Sequence, residues 1–253
     1  MAVFRRVLFD GADLGLLVLT VLFMYGLFYA FGSVLSDLYS AYLLGVISSP
    51  DPLVSLRSLF YDSISTLSEP LTLLSMFVYG ILLLYLSLVV VGWIGKRRIS
   101  CPENPFKRAV DVLIPAAILS IILLAPLSLL FSIILLLSSN TTVLIVALSL
   151  FFLVSLVYST VVSPSIASLV IDSDSVSQAL RNGVLVGRRR WFSILLHMFG
   201  VSLVTTVLLY LFGIAALALP WTSDILLVLY QAVAFILPLA VITEVYVSDA
   251  HGV

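Results

Sequence analysis

The sequence predicts an all-α, polytopic membrane bundle of six transmembrane helices with kinks. An outer amphipathic helix and an interfacial elbow on the cytoplasmic side complete it. Three observations predict this class. Of 253 residues, 62% are hydrophobic and 10% charged, with a mean hydropathy of +1.25. Soluble domains carry about 25% charged residues, so these ionic groups are too few to clothe the chain in water. The apolar residues gather into six runs, each long enough to cross a hydrocarbon core of about 30 Å at about 1.5 Å per residue. All but one of the basic residues fall before or between alternate runs, on one side.

The runs are Gly11–Phe31, Leu71–Gly95, Ala109–Leu137, Thr141–Ile171, Phe192–Leu219 and Thr222–Val247, within a single integral domain over residues 1–253. They are continuously apolar rather than alternating every second residue, which disfavours strands. In lipid each backbone polar group must bond within its own segment, so each run is a helix. The first run has a competitor, a cleaved secretory leader, given its basic start and the small residues Ala30 and Gly32. The stretch from Leu14 to Phe31 is long for a leader, and Asp10 and Asp13 precede it. Pro115, Pro126, Pro164 and Pro238 fall within or at the ends of runs three, four and six, where each removes an amide donor and can bend its helix.

Charge sets the direction. Arg5 and Arg6 precede run one; Lys96, Arg97, Arg98, Lys107 and Arg108 separate runs two and three; Arg181, Arg188, Arg189 and Arg190 separate four and five. Only Arg57 falls opposite, so eleven of twelve basic residues share a side. The expectation is a multi-pass protein of the cell membrane with both termini cytoplasmic. Trp93, Trp191 and Trp221 stand at run ends, where an amphipathic ring prefers the headgroup layer.

The outer connections "SSN" and "PW" are short enough to force tight antiparallel pairs. Three outward-going runs begin alike ("RRVLFDGADL", "KRAVDVLIPA", "RRRWFSILLH"), either as a hairpin repeat or as the common composition of a cytoplasmic boundary. The one long outer segment, 32–70, contains "PDPLVSLRSLFYDSISTLSEP". Asp51 and Pro52 suit a helix start, and Leu53, Leu56, Phe60, Ile64 and Leu67 form one apolar face.

Residues 172–197, "DSDSVSQALRNGVLVGRRRWFSILLH", bring charge back between two apolar runs. Asp172 and Ser173 offer a helix start, and Asp174 suits the positive end of the helix dipole. Val176, Leu180 and Val184 give an apolar side; Arg188, Arg189 and Arg190 suit anionic headgroups; Trp191 marks re-entry. This predicts the elbow. Gly183 and Gly187 allow close helix packing.

At these residues the chain resembles a family. An acid after a membrane run, then "SVSQAL", then "VLVGRRRWFSIL", is similar to the membrane domain accompanying some glycerophosphoryl diester phosphodiesterases and related polytopic proteins. The match is best over Pro164–Leu195. In that family catalysis belongs to a separate soluble barrel; with Val253 just after run six, no room for one is expected and the activity is not carried over. A second resemblance is to the importer-permease loop that docks a nucleotide-hydrolysing subunit. Ala179 and Gly183 keep its spacing, but Ser177 and Gln178 replace its acid and alanine, and no proline follows Leu196.

For chemistry the sequence offers little. Cys101 is a lone cysteine, which excludes an internal disulfide and a cysteine metal cage; His197 and His251 suggest no metal site, and no cofactor is expected. A net charge of −1 gives no case for nucleic acid. No phosphate loop, HExxH or nucleophile elbow is present, and Asn140 of "NTT" is a glycosylation acceptor only in form, in a very short loop. No acid lies centrally in a run; the sharpest polar pair is His197 with Glu244, facing inward. The leading expectation is a non-enzymatic protein binding lipid or a protein partner. Lys96, Arg97, Arg98 and Arg188–Arg190 would meet anionic cytoplasmic headgroups, and Ala179, Arg181, Gly183 and Gly187 would form the partner contact. The alternatives are a transporter or permease subunit docking through 172–191, and a lipid-modifying enzyme.

Overall fold

The computed structural model describes residues 15–27, 29–31, 70–99, 104–137, 140–172, 175–219 and 222–252. The expected outer helix within 32–70, along with Arg5, Arg6, Cys101, Ser173, Asp174 and Trp221, lies outside the described residues. Among those described, every regular element is helical. They are α1 (Gly15–Phe31), α2 (Pro70–Ile99), α3 (Pro105–Asp111), α4 (Leu113–Leu137), α5 (Thr141–Val162), α6 (Pro164–Ile171), α7 (Val176–Ala218) and α8 (Ser223–His251). Among the described residues, five spans are long and apolar enough to cross a membrane: Thr72–Ile99, Leu113–Leu136, Thr142–Ile171, Val176–Ala215 and Ser223–His251. The first expected run is described only as the shorter α1.

Local chemistry explains the boundaries. Asn104 accepts from the Phe106 amide at 3.0 Å and Pro105 occupies the first turn of α3, the position where a missing donor costs nothing. Pro115 cannot donate to the carbonyl four residues back, Asp111, and the helix is interrupted there, at Val112. Pro164 likewise follows the break at Ser163 that divides the expected fourth run into α5 and α6. Pro126 and Pro238 lie inside unbroken helices. Asn140 caps α5, its side-chain oxygen accepting from the Val143 amide at 2.9 Å.

The elbow expected over 172–191 is not a separate element. Val176–Ala218 is one helix of 43 residues, about 65 Å long at about 1.5 Å per residue, twice the roughly 30 Å of a hydrocarbon core. Charge alone does not interrupt a helix; a missing donor or a steric clash does, and this segment has no proline. Trp191 therefore sits inside α7 rather than at its start. The cap is also corrected. Ser175, not Asp172, caps α7, accepting from the Gln178 amide at 3.3 Å, while Asp172 closes the C-terminal end of α6.

The described chain forms two compact units. Unit 1 takes the described residues within 1–26, 84–119 and 157–253. In it Leu16, Val90, Ile94 and Ala240 make one buried cluster. Ile194, Val201, Leu237, Val241 and Val245 make a second, where α7 runs back along α8. Unit 2 takes the described residues within 27–83 and 120–156; there Leu135 and Leu144 pack beneath Phe131 and Leu148, and Phe31 meets Tyr79 edge-on at 5.7 Å. Ile121, Leu124, Leu129, Ile145, Leu150 and Phe152 are exposed, an outer surface suited to acyl chains rather than water.

Candidate functional site

The last two turns of α8 organise the polar chemistry of unit 1. Thr243, Glu244, Val245, Tyr246 and Val247 are consecutively buried, so the helix has no open face there and must be enclosed by neighbours. Polar side chains tie it to three of them. Glu244 accepts from Arg98 Nε of α2 at 2.6 Å. The Tyr246 hydroxyl donates to Asp172 Oδ2 at 2.6 Å, and His251 Nε2 stands 3.0 Å from the other oxygen of that carboxylate. Asp249 accepts from Arg190 Nε of α7 at 2.7 Å, and Arg189 Nη1 lies 3.9 Å from its second oxygen.

A fourth tie joins α3 to α6. Arg108 donates to the carbonyls of Val170 (3.0 Å) and Leu169 (3.4 Å). Carbonyls of a last helical turn lack partners of their own, and a cation there also answers the negative end of the dipole. Beside it a cavity of about 20 Å³, bordered by Gly92, Gly95, Arg108 and Val170, has room for about one water.

The approach of α7 to α5 and α6 depends on glycine. A Cβ built on Gly183 would land on the backbone of Ser165, and one on Gly187 on the carbonyl of Val161. Residue numbers fall on one helix as they rise on the other, so the crossing is antiparallel. Ala179 and Gly183 share its buried surface with Ser165, Ala167 and Ser168.

This geometry sorts charge. The side chains of Glu244 and Asp249 are 10% and 9% exposed, whereas those of Arg189 and Arg190 are 65% and 53% exposed. Lys96, Arg97, Lys107, Arg181 and Arg188 are also exposed. Among the described acids, Asp111 is open at the end of α3 and Asp224 near the start of α8, and Asp172 is open but bonded. The arrangement anchors helices through inward carboxylates and presents cations outward.

The residues expected from sequence divide accordingly. Lys96, Arg97, Arg188 and Arg189 are on the exposed side, while Arg98 and Arg190 turn to Glu244 and Asp249. Ala179, Gly183 and Gly187 are buried against this chain's own helices and only Arg181 is exposed. His197, half-buried, places Nδ1 2.6 Å from the Ser193 carbonyl of its own helix, and Glu244 takes Arg98. Tyr246, Asp249, His251 and Asp172 as an acceptor were not legible as partners; the only signal was a polar "SDAH" closing an apolar run. No protein-family model, curated protein or solved structure matches the chain.

Proposed function

We propose that the chain is a non-enzymatic, six-span protein of the cell membrane with both termini in the cytosol. Its basic end binds anionic headgroups of the inner leaflet. The observation supporting this is the charge sorting: among the described residues of this end Glu244, Asp249 and Asp172 are held by intrachain partners, so the exposed Lys96, Lys107, Arg181, Arg188 and Arg189 outnumber the open acid Asp111. Juxtamembrane cations of this kind gain about 1 kcal/mol each near an anionic surface. The sequence likeness of Pro164–Leu195 to the membrane domain of glycerophosphoryl diester phosphodiesterases fits a lipid-facing role. The docking of a nucleotide-hydrolysing subunit is less favoured, because the glycine face it would use is filled by α5 and α6.

The test is lipid enrichment. Protein extracted from vesicles of mixed phosphatidylglycerol and phosphatidylcholine should carry phosphatidylglycerol above the bulk ratio. The excess should fall with salt, as screened exposed charges require, and vanish when Lys96, Lys107, Arg181, Arg188 and Arg189 are all changed to Gln. Equal retention of both lipids by the unaltered protein refutes the reading. Single cysteines at Lys96 and Arg188 should label from the same side of the membrane; labelling from opposite sides refutes the topology.

A further inference from the structure

The outward face of α7 changes character along one straight line. At about 100° per residue, Arg181, Leu185, Arg188, Arg189, Phe192, Leu196, Phe199 and Leu203 lie within roughly 60° of a common stripe. All of them are exposed, and the four from Phe192 to Leu203 are each more than half exposed. The opposite face holds Gly183, Gly187, Arg190, Ile194 and Val201, which meet Ser165, Val161, Asp249 and the α8 cluster. The stripe is thus the side of α7 that unit 1 leaves uncovered. Its cations, with Leu185 among them, end at Arg189, and it is apolar from Phe192, with no polar residue between Phe192 and Leu203 on that line.

We infer that this stripe is a single site for one anionic phospholipid, with Arg188 and Arg189 on the headgroup phosphate and an acyl chain along Phe192, Leu196, Phe199 and Leu203. The inference rests on the lipid-binding reading above and narrows it to one place. From Phe192 to Leu203 the stripe runs about 16 Å at about 1.5 Å per residue, close to one leaflet of a roughly 30 Å core. Arg188 and Arg189 sit about one turn before Phe192, where the phosphate of a lipid lying along that ridge must fall. Guanidinium groups suit phosphate oxygens through paired N–H donors. Trp191, half exposed and edge-on to Phe192 at 5.7 Å, flanks the junction at headgroup depth. Asp249 competes only in part: it is bonded to Arg190 at 2.7 Å and stands 3.9 Å from Arg189.

The test is native mass spectrometry of the full chain titrated with palmitoyl-oleoyl phosphatidylglycerol in neutral detergent. Phosphatidylcholine, inorganic phosphate and a short-chain phosphatidylglycerol serve as comparison probes. One phosphatidylglycerol should bind ahead of all others. R188Q/R189Q should weaken it roughly 30-fold, at about 1 kcal/mol for each cation, and more than K96Q/K107Q does. F199A/L203A should weaken the long-chain lipid more than the short-chain one. Circular dichroism checks that each variant is folded. If K96Q/K107Q releases the lipid and R188Q/R189Q does not, the site is wrong and the broader reading stands. If the unaltered protein shows no preference over phosphatidylcholine, both fail. Displacement by inorganic phosphate regardless of chain length overturns the lipid in favour of a free anion. Dimers that crosslink through F199C and exclude the lipid put a second copy on the stripe instead.

Discussion

Glycine is expected to have opposite effects at two places on the same helix, which makes α7 a direct test of the crossing. In Gly183→Ala the new methyl meets the Cα and amide nitrogen of Ser165, and backbone cannot rotate away as a side chain can. Overpacking of a close-packed interior costs about 1–3 kcal/mol, and a backbone wall places this change at the upper end, near 3 kcal/mol. Gly213 has nothing within 4 Å of an added Cβ, so alanine there should stabilise by about 0.5–1 kcal/mol through the lower conformational freedom of the unfolded chain. The two variants should therefore differ by about 4 kcal/mol. Unfolding of the detergent-solubilised protein in SDS, followed by tryptophan fluorescence, reads that difference. The second arm is Ser165→Gly in the Gly183→Ala background. It removes the serine hydroxymethyl group but not the backbone atoms, so it should recover little. Neutral behaviour of Gly183→Ala, or full recovery with Ser165→Gly, would refute a backbone-to-backbone approach of α6 and α7.

Three further outcomes follow from the ties of α8. Glu244→Gln should cost about 2 kcal/mol, short of the roughly 3–5 kcal/mol for a fully buried pair, because 24% of the Arg98 side chain stays open to solvent; a double-mutant cycle with Arg98→Gln should return a coupling of about 1–2 kcal/mol. Tyr246→Phe should cost about 1.5–2 kcal/mol, as befits a hydroxyl bonded to a carboxylate, and Asp172→Asn should add little once Tyr246 is gone, measured in the same unfolding assay. Arg190→Gln should lose about 0.5–1 kcal/mol, reduced by its exposure, whereas Arg188→Gln should stay within about 0.5 kcal/mol; equal losses would contradict the separate orientations of these neighbours.

Apolar length was legible from the sequence because it depends on composition over a window, and each described span overlaps its expected run. Position within the helix was legible only where a donor is missing. Pro115 and Pro164 mark breaks near Val112 and Ser163, but Pro126 and Pro238 do not break their helices at all. The elbow is no separate element because a cluster of arginines does not end a helix: the i to i+4 backbone ladder is indifferent to charge. The pairing of Gly183 and Gly187 with Ser165 and Val161 was half visible: spacing shows a smooth face, not what lies on it. The partners of Glu244 and Asp172 were hidden for the same reason. Arg98 is 146 residues from Glu244, and Tyr246 is 74 from Asp172, so only the folded arrangement could choose among several cations and acceptors.

The three consecutive arginines of α7 show how one short stretch can serve both fold and surface. A step of about 100° per residue places Arg190 on the side facing α8, where Asp249 receives it, and leaves Arg188 on the opposite side. Arg189 lies between, within 3.9 Å of Asp249 yet with 65% of its side chain exposed. Inserting one residue between Arg190 and Trp191 would rotate all three arginines relative to the α8-facing and lipid-facing residues that follow. Asp249 would then lose its close partner, while Arg189 and Arg190 would take the places that Arg188 and Arg189 hold on the line of Phe192 and Leu196. A helix interrupted at Trp191 could absorb that insertion in its joint, whereas a continuous α7 transmits it. Loss of stability with phosphatidylglycerol retention kept is therefore the expected result, and unchanged stability would argue for a joint at Trp191.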